Sequence, residues 1–259
     1  MSTTRLRALA LLLAVVAALP AAPPAAALPV TLDLGRFTLS QDGQPARVED
    51  FVFDRYGDSL VVRAASSPWR EKAEDLRFDK FMMLVADARD FELLSYSSQF
   101  GARADTLRRG ITLARGDTAF TLWREHNGWG TGDALARPPG RLYVLDAPLF
   151  TLFGYIGWTM QGRTFDRRPI NIVVLGARDT VVVGTVTDAG TEELTWNGQA
   201  VEARKLLIGD QQTTVEAWFT SDGHMLRLLQ ERTGIRAERD PPAAAGPPAR
   251  EEEPPPGTK

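Results

Sequence analysis

Turn-forming residues punctuate this chain at intervals of about 8 to 13 residues, the spacing of short antiparallel strands joined by tight hairpins. They fall at Asp42-Gly43, Gly57-Asp58, Asp87 to Asp90, Gly116-Asp117, Asn127-Gly128, Arg178-Asp179, Asp188-Ala189-Gly190, Asn197-Gly198, Gly209-Asp210 and Asp222-Gly223. The segments between them suit strands. Lys80, Met82 and Leu84 continue an alternation begun by Leu76 and Phe78, against Arg77, Asp79, Phe81 and Met83. Val215, Ala217 and Phe219 alternate in the same way with Thr214, Glu216 and Trp218. Residues 170–175 and 181–183 are apolar on both sides, which predicts strands covered on both faces. No strand–helix alternation recurs, so a parallel nucleotide-binding sheet is not expected. The expected architecture is all-β and mainly antiparallel: a large curved sheet or half-open barrel of about 11–12 strands over residues 28–235.

One segment breaks the rhythm. Asp146 is placed to cap a helix, Pro148 suits its first turn, and Leu145 with Phe150 can form a hydrophobic staple. Leu149, Phe150, Leu152, Phe153, Tyr155, Ile156, Trp158 and Met160 then point to nearly every side of a helix of roughly 14 residues. Such a helix is expected to be buried in the concave face of the sheet. It either completes the core or lids an apolar cavity, with Gly154 and Gly157 allowing close approach.

The two ends differ from this unit. Residues 1–27 carry Arg5 and Arg7, an apolar run from Ala8 to Leu19 and the small residues Ala25 to Ala27, the grammar of a secretory signal peptide. The run is too short for the roughly 20 residues that span a bilayer, so cleavage rather than anchoring is expected. Losing the two arginines takes the net charge from −3 to −5, which favours no anionic partner such as nucleic acid. Residues 236–259 hold seven prolines and Glu251 to Glu253, with too few apolar side chains to offset ordering entropy, and are expected to be a disordered tail. The sequence contains no cysteine, which excludes disulfides, thiolate metal sites and a lipid anchor on cysteine.

Residues that could carry chemistry are sparse. The two histidines, His126 and His224, sit at predicted turns and read as surface residues, with no grouped metal ligands around them. There is no Gly-x-Ser-x-Gly elbow for a hydrolase. The acids Asp87, Asp90, Asp188, Glu192 and Glu193 fall at predicted turns and read as solvated. Arg115-Gly116-Asp117 is hairpin chemistry, and Gly128 to Gly132 has no helix after it to form a phosphate cradle, so it reads as an edge loop. No cofactor and no metal are expected.

The Asp146-to-Phe153 segment is followed by Ile170 to Leu175, by Gly198 to Leu206 and by Val215 to Leu228, where a tryptophan strand ends at a Ser-Asp-Gly turn before Leu226-Arg227-Leu228. This arrangement, behind a leader and without cysteine, resembles uncharacterised exported families related to the lipoprotein carriers LolA and LolB. The resemblance covers residues 140–235 best. It implies a half-open antiparallel barrel whose concave apolar face, partly covered by a helix, holds acyl chains. It supplies no catalytic residues, and no basic patch for an anionic headgroup is visible here.

The function expected from both lines is a non-enzymatic carrier or binder of a hydrophobic or lipid-like molecule, exported to the periplasm or beyond. Leu149, Phe153, Ile156, Trp158 and Trp218 are the expected lining of its cavity. The alternatives are a structural or assembly protein of the envelope, and a hydrolase of an envelope polymer using Glu125, His126 and Asp222.

Overall fold

Alternation of apolar and polar residues builds strands when one face is buried, and here it does so along almost the whole chain. The computed structural model describes residues 28–69, 80–101, 106–210 and 214–242. Residues 1–27, expected to be a leader, Leu76 to Asp79 of the expected alternation, and residues 243–259 of the expected tail lie outside them.

The first arm of the sheet contains β1 (Val30–Gln41), β2 (Gln44–Tyr56), β3 (Ser59–Pro68), β4 (Lys80–Asp87), β5 (Leu93–Phe100), β6 (Leu107–Thr112), β7 (Ala119–His126) and β8 (Trp129–Ala136). The second contains β9 (Leu142–Asp146), helix α1 (Thr151–Thr159), β10 (Arg167–Leu175), β11 (Thr180–Trp196), β12 (Gln199–Gly209), β13 (Thr214–Phe219), β14 (Met225–Gln230) and β15 (Ile235–Arg239). All fifteen strands form one sheet in the order 8-7-6-5-4-3-2-1-15-14-13-12-11-10-9. In each arm, strands adjacent in the chain are adjacent in the sheet, and the two arms join where β1 pairs with β15, Phe37 opposite Arg239. Pairing is antiparallel except between β9 and β10, which run parallel with α1 as the crossover.

The sheet curls around α1. Inward residues from both arms, among them Phe53, Leu84 and Ile111 on one side and Ile172, Leu206 and Leu228 on the other, share one core cluster with Leu152, Tyr155 and Ile156 of the helix. Each such side chain contributes roughly 1.5–3 kcal/mol by burial. Gly157 is required at its position, because a Cβ there would collide with the Phe219 ring.

The all-β fold class with one buried helix is found, and five details differ. Among the described residues, fifteen strands stand where 11 or 12 were expected. Trp129 to Gly132, read as part of a loop, belong to β8, an edge strand exposed along most of its length with only Leu135 packed on the core, so it leaves little alternation to read. Asp188 to Gly190, read as a turn, is a bulge inside the single long strand β11. The sheet also extends past residue 235 into β15, where the expected tail was to begin. Val181 and Val183 are exposed rather than covered, although Val182 between them packs on the core.

Candidate functional site

The helix begins where no residue of its own can cap it. Phe150 occupies the cap position and offers no side-chain acceptor. The acceptor comes from β2: the carboxylate of Glu49, fully buried, receives the amides of Phe150 at 2.8 Å and Thr151 at 2.7 Å. A carboxylate at a helix N-terminus satisfies orphan donors and meets the positive end of the helix dipole. Burial raises the Glu49 carboxyl above the ordinary range, against the opposing pull of those amides and of Arg47.

Asp146 is the correction here. It does not cap the helix; it ends β9 and turns its carboxylate into the opposite arm of the sheet. Lys80 from β4 and Arg109 from β6 both donate to Oδ1. Tyr96 and Ser98 from β5 each donate to Oδ2 at 2.6 Å. Lys80 Nζ also donates to the Ala147 carbonyl at 2.6 Å. Burial would raise the Asp146 carboxyl, but the two cations outweigh it and hold it below the ordinary range. Burial also pushes Lys80 down to about 8, against the pull of Asp146. Nearby, Arg124 of β7 pairs with Asp179 and donates to the Gly176 carbonyl, which Arg109 also contacts. At this end of the sheet, away from the β1–β15 ladder, side chains thus tie the second arm to the first.

Between this network and the helix cap lies an apolar cavity of about 360 Å³. Its walls include Leu39 of β1, Leu149 and Phe153 at the start of the helix, Ile172 and Val174 of β10, and Val215 of β13. Arg47 and Asp146 supply polar atoms, and the exposed Gln41 and Ala46 form part of the rim.

Of the residues expected to line a cavity, Leu149 and Phe153 do. Ile156 is completely buried in the core beyond it. Trp158 lies toward the other end of the helix, stacked on Phe53 at 5.6 Å and edge-on to His224 at 5.7 Å. Trp218 sits in a separate cluster with Leu194, Ala203 and Leu226, its indole donating to Glu192 and its ring 4.9 Å from Lys205 Nζ. The acid and histidine candidates do not form one group: Glu125 and His126 end β7, whereas Asp222 lies in the turn between β13 and β14. Among the acids read as solvated, Asp87 pairs with Arg115 and Asp188 with Arg204.

The reading of His224 as a plain surface residue is also corrected. Its Nδ1 lies 2.9 Å from Asp33 and its Nε2 3.0 Å from Asp222, with Arg239 pairing with Asp33 from β15. The bond to Asp33 raises the histidine pKa above 6.5, partly offset by burial, and the neighbouring charges of Asp33 and Asp222 add to the rise. A histidine raised in the fold contributes stability that is complete below about pH 6.5 and lost as pH rises through the folded value. The native chain is therefore expected to lose urea midpoint from about pH 6.5 upward, and His224→Gln to flatten that fall. An unchanged slope would assign that fall to other groups.

Sequence reasoning missed Glu49 and the role of Asp146. For the latter a signal existed: Lys80 stands among apolar residues on the inward side of its alternation, so it required a buried anion.

No family model matches this sequence, and no curated protein matches it. Among solved structures it is similar to the crystal structure of a beta-barrel-like protein of a domain of unknown function, DUF1849, from Brucella abortus. The superposition gives a TM-score of 0.53 at 11% identity, covering 82% of this chain and 97% of that one. The likeness is one of fold: a β-rich, barrel-like sheet.

Proposed function

We propose that the protein is an exported, non-enzymatic carrier or binder of a hydrophobic, lipid-like molecule held between α1 and the concave face of the sheet. The cavity of about 360 Å³ carries this reading. Its size falls in the range of roughly 300–1,000 Å³ of ligand pockets, and its walls are mostly apolar side chains with a few polar atoms near Arg47. Burial of ligand surface would supply about 25 cal/mol per Å², less the cost of ordering the ligand. The leader-like residues 1–27 support export, and the LolA/LolB-like pattern of the second arm supports an acyl ligand.

The test is mass spectrometry of lipid co-purified with protein prepared without detergent, followed by rebinding of a fluorescent fatty acid. Native protein is expected to carry or rebind lipid, and Val174→Phe, which fills the cavity from a partly buried position, is expected to bind at least ~10-fold more weakly with its melting temperature little changed. Native protein that neither carries lipid nor rebinds the probe would overturn the proposal and favour an assembly role in the envelope.

A further inference from the structure

The convex face of the first arm carries a second, larger hollow, of about 790 Å³. Two cross-strand rows build it. One runs Val52, Arg63, Met83, Ser97, Gly110 and Trp123 from β2 to β7; the other runs Asp50, Ala65, Phe81, Gln99 and Arg108 from β2 to β6. Phe81 is 51% exposed and Met83 45%, unusual for large apolar side chains on adjacent outward positions. Trp123 lies against Gly110, whose missing Cβ leaves the space its ring fills. Arg63 and Arg108 keep about half of their side-chain surface exposed, Arg108 having Glu125 at 3.8 Å.

The last described residues lie beside the residues at which this hollow begins. After β15, Asp240 is fixed to β1 by its amide on the Arg36 carbonyl and by Thr38 at 2.8 Å. Pro241 and Pro242 then line a depression shared with Asp50 and Val52, the residues at which both rows begin. The sequence continues with Pro247-Pro248, Glu251 to Glu253 and Pro254 to Pro256.

We propose that residues 243–259 of this chain dock across the outer face from β2 to β7, with Pro247-Pro248 over Phe81 and Met83 and the glutamates at Arg108. Proline-rich segments bind aromatic-lined grooves in extended polyproline geometry, which loses little entropy on docking. The lengths agree. At ≈3.1 Å per residue, Pro247 and Pro248 reach roughly 16–19 Å beyond Pro242, and β4 lies three strand spacings, roughly 14 Å, from β1. Glu251 reaches roughly 28 Å, and β6 lies roughly 24 Å away. The charge at the far end has the right sign as well: the glutamates arrive where the second row ends at the half-exposed Arg108.

The absence of cysteine allows a direct test on the full chain. Ser97→Cys with Ala249→Cys, both spin-labelled, is expected to give a narrow inter-label distance within about 15 Å. Phe81→Ser combined with Met83→Ser, or separately Arg108→Glu, is expected to broaden it; all three residues are exposed, so the core is untouched, and circular dichroism checks the fold. A broad distribution in the parent, as for a chain wandering roughly 15 Å over seven residues, would overturn the proposal. So would a narrow peak indifferent to those variants. A peak lost on dilution with unlabelled protein would show docking between two copies and would also overturn it.

Discussion

Asp146→Ala is expected to lower the free energy of unfolding by about 3–5 kcal/mol, the typical cost of removing one partner from a buried ion pair. The reason is the state in which it leaves its neighbours. Lys80 and Arg109 have side chains 2% and 12% exposed, so neither regains water when the carboxylate goes. Tyr96 and Ser98 lose their acceptor at the same time. The effect should exceed that of any surface pair, such as Arg89 with Asp58, whose loss is worth about 1 kcal/mol or less. Urea midpoints of the two single variants measure the difference, and equal midpoints would show that the network contributes no more than a surface pair. Adding Lys80→Met to Asp146→Leu should recover part of the loss by removing one stranded charge. Hydrogen exchange should report the site of damage, with amides of β5 and β9 losing protection first.

The second large effect is expected from Glu49→Ala. This carboxylate makes two charge-assisted bonds to backbone amides that have no other partner, at the only α-helix among the described residues. Each such bond contributes about 1.5–3 kcal/mol, and the desolvation relieved on deletion offsets part of the total, leaving an expected loss of about 3 kcal/mol. Glu49→Gln retains one acceptor oxygen and should lose about half as much. The cavity adjoins this helix start, so Glu49→Ala should also raise the dissociation constant for a bound apolar probe. Unaltered stability would mean that α1 is held by packing alone.

The strands were legible because their chemistry is local. Asn127-Gly128 and Asn197-Gly198 adopt the positive φ that tight hairpins need, and the alternation of Lys80, Met82 and Leu84 reports its inward face. The helix was legible from composition but not its length: nine residues, Thr151–Thr159, form where about 14 were expected. Its start depends on Glu49, 101 residues away, and no local pattern announces that bond. Asp146 misled for the opposite reason. Asp two residues before Pro fits a helix cap, yet four donors from the facing arm compete for the same carboxylate. The cavity was half legible, since Leu149 and Phe153 belong to the apolar helix start, whereas Leu39 and Val215 enter from strands distant in sequence.

The strand order has a consequence for how the molecule is made. Within each arm, every strand pairs with its neighbour in the chain, so those ladders can form by short loop closures soon after synthesis. One ladder cannot. The pairing of β1 with β15 joins segments such as Thr38 and Asp240, 202 residues apart, and must wait for the last strand to emerge. Folding should therefore end with a late, slow fastening of two preassembled arms. Until then β1 presents an unpaired edge rich in apolar residues, the moment at which this protein is most exposed to aggregation.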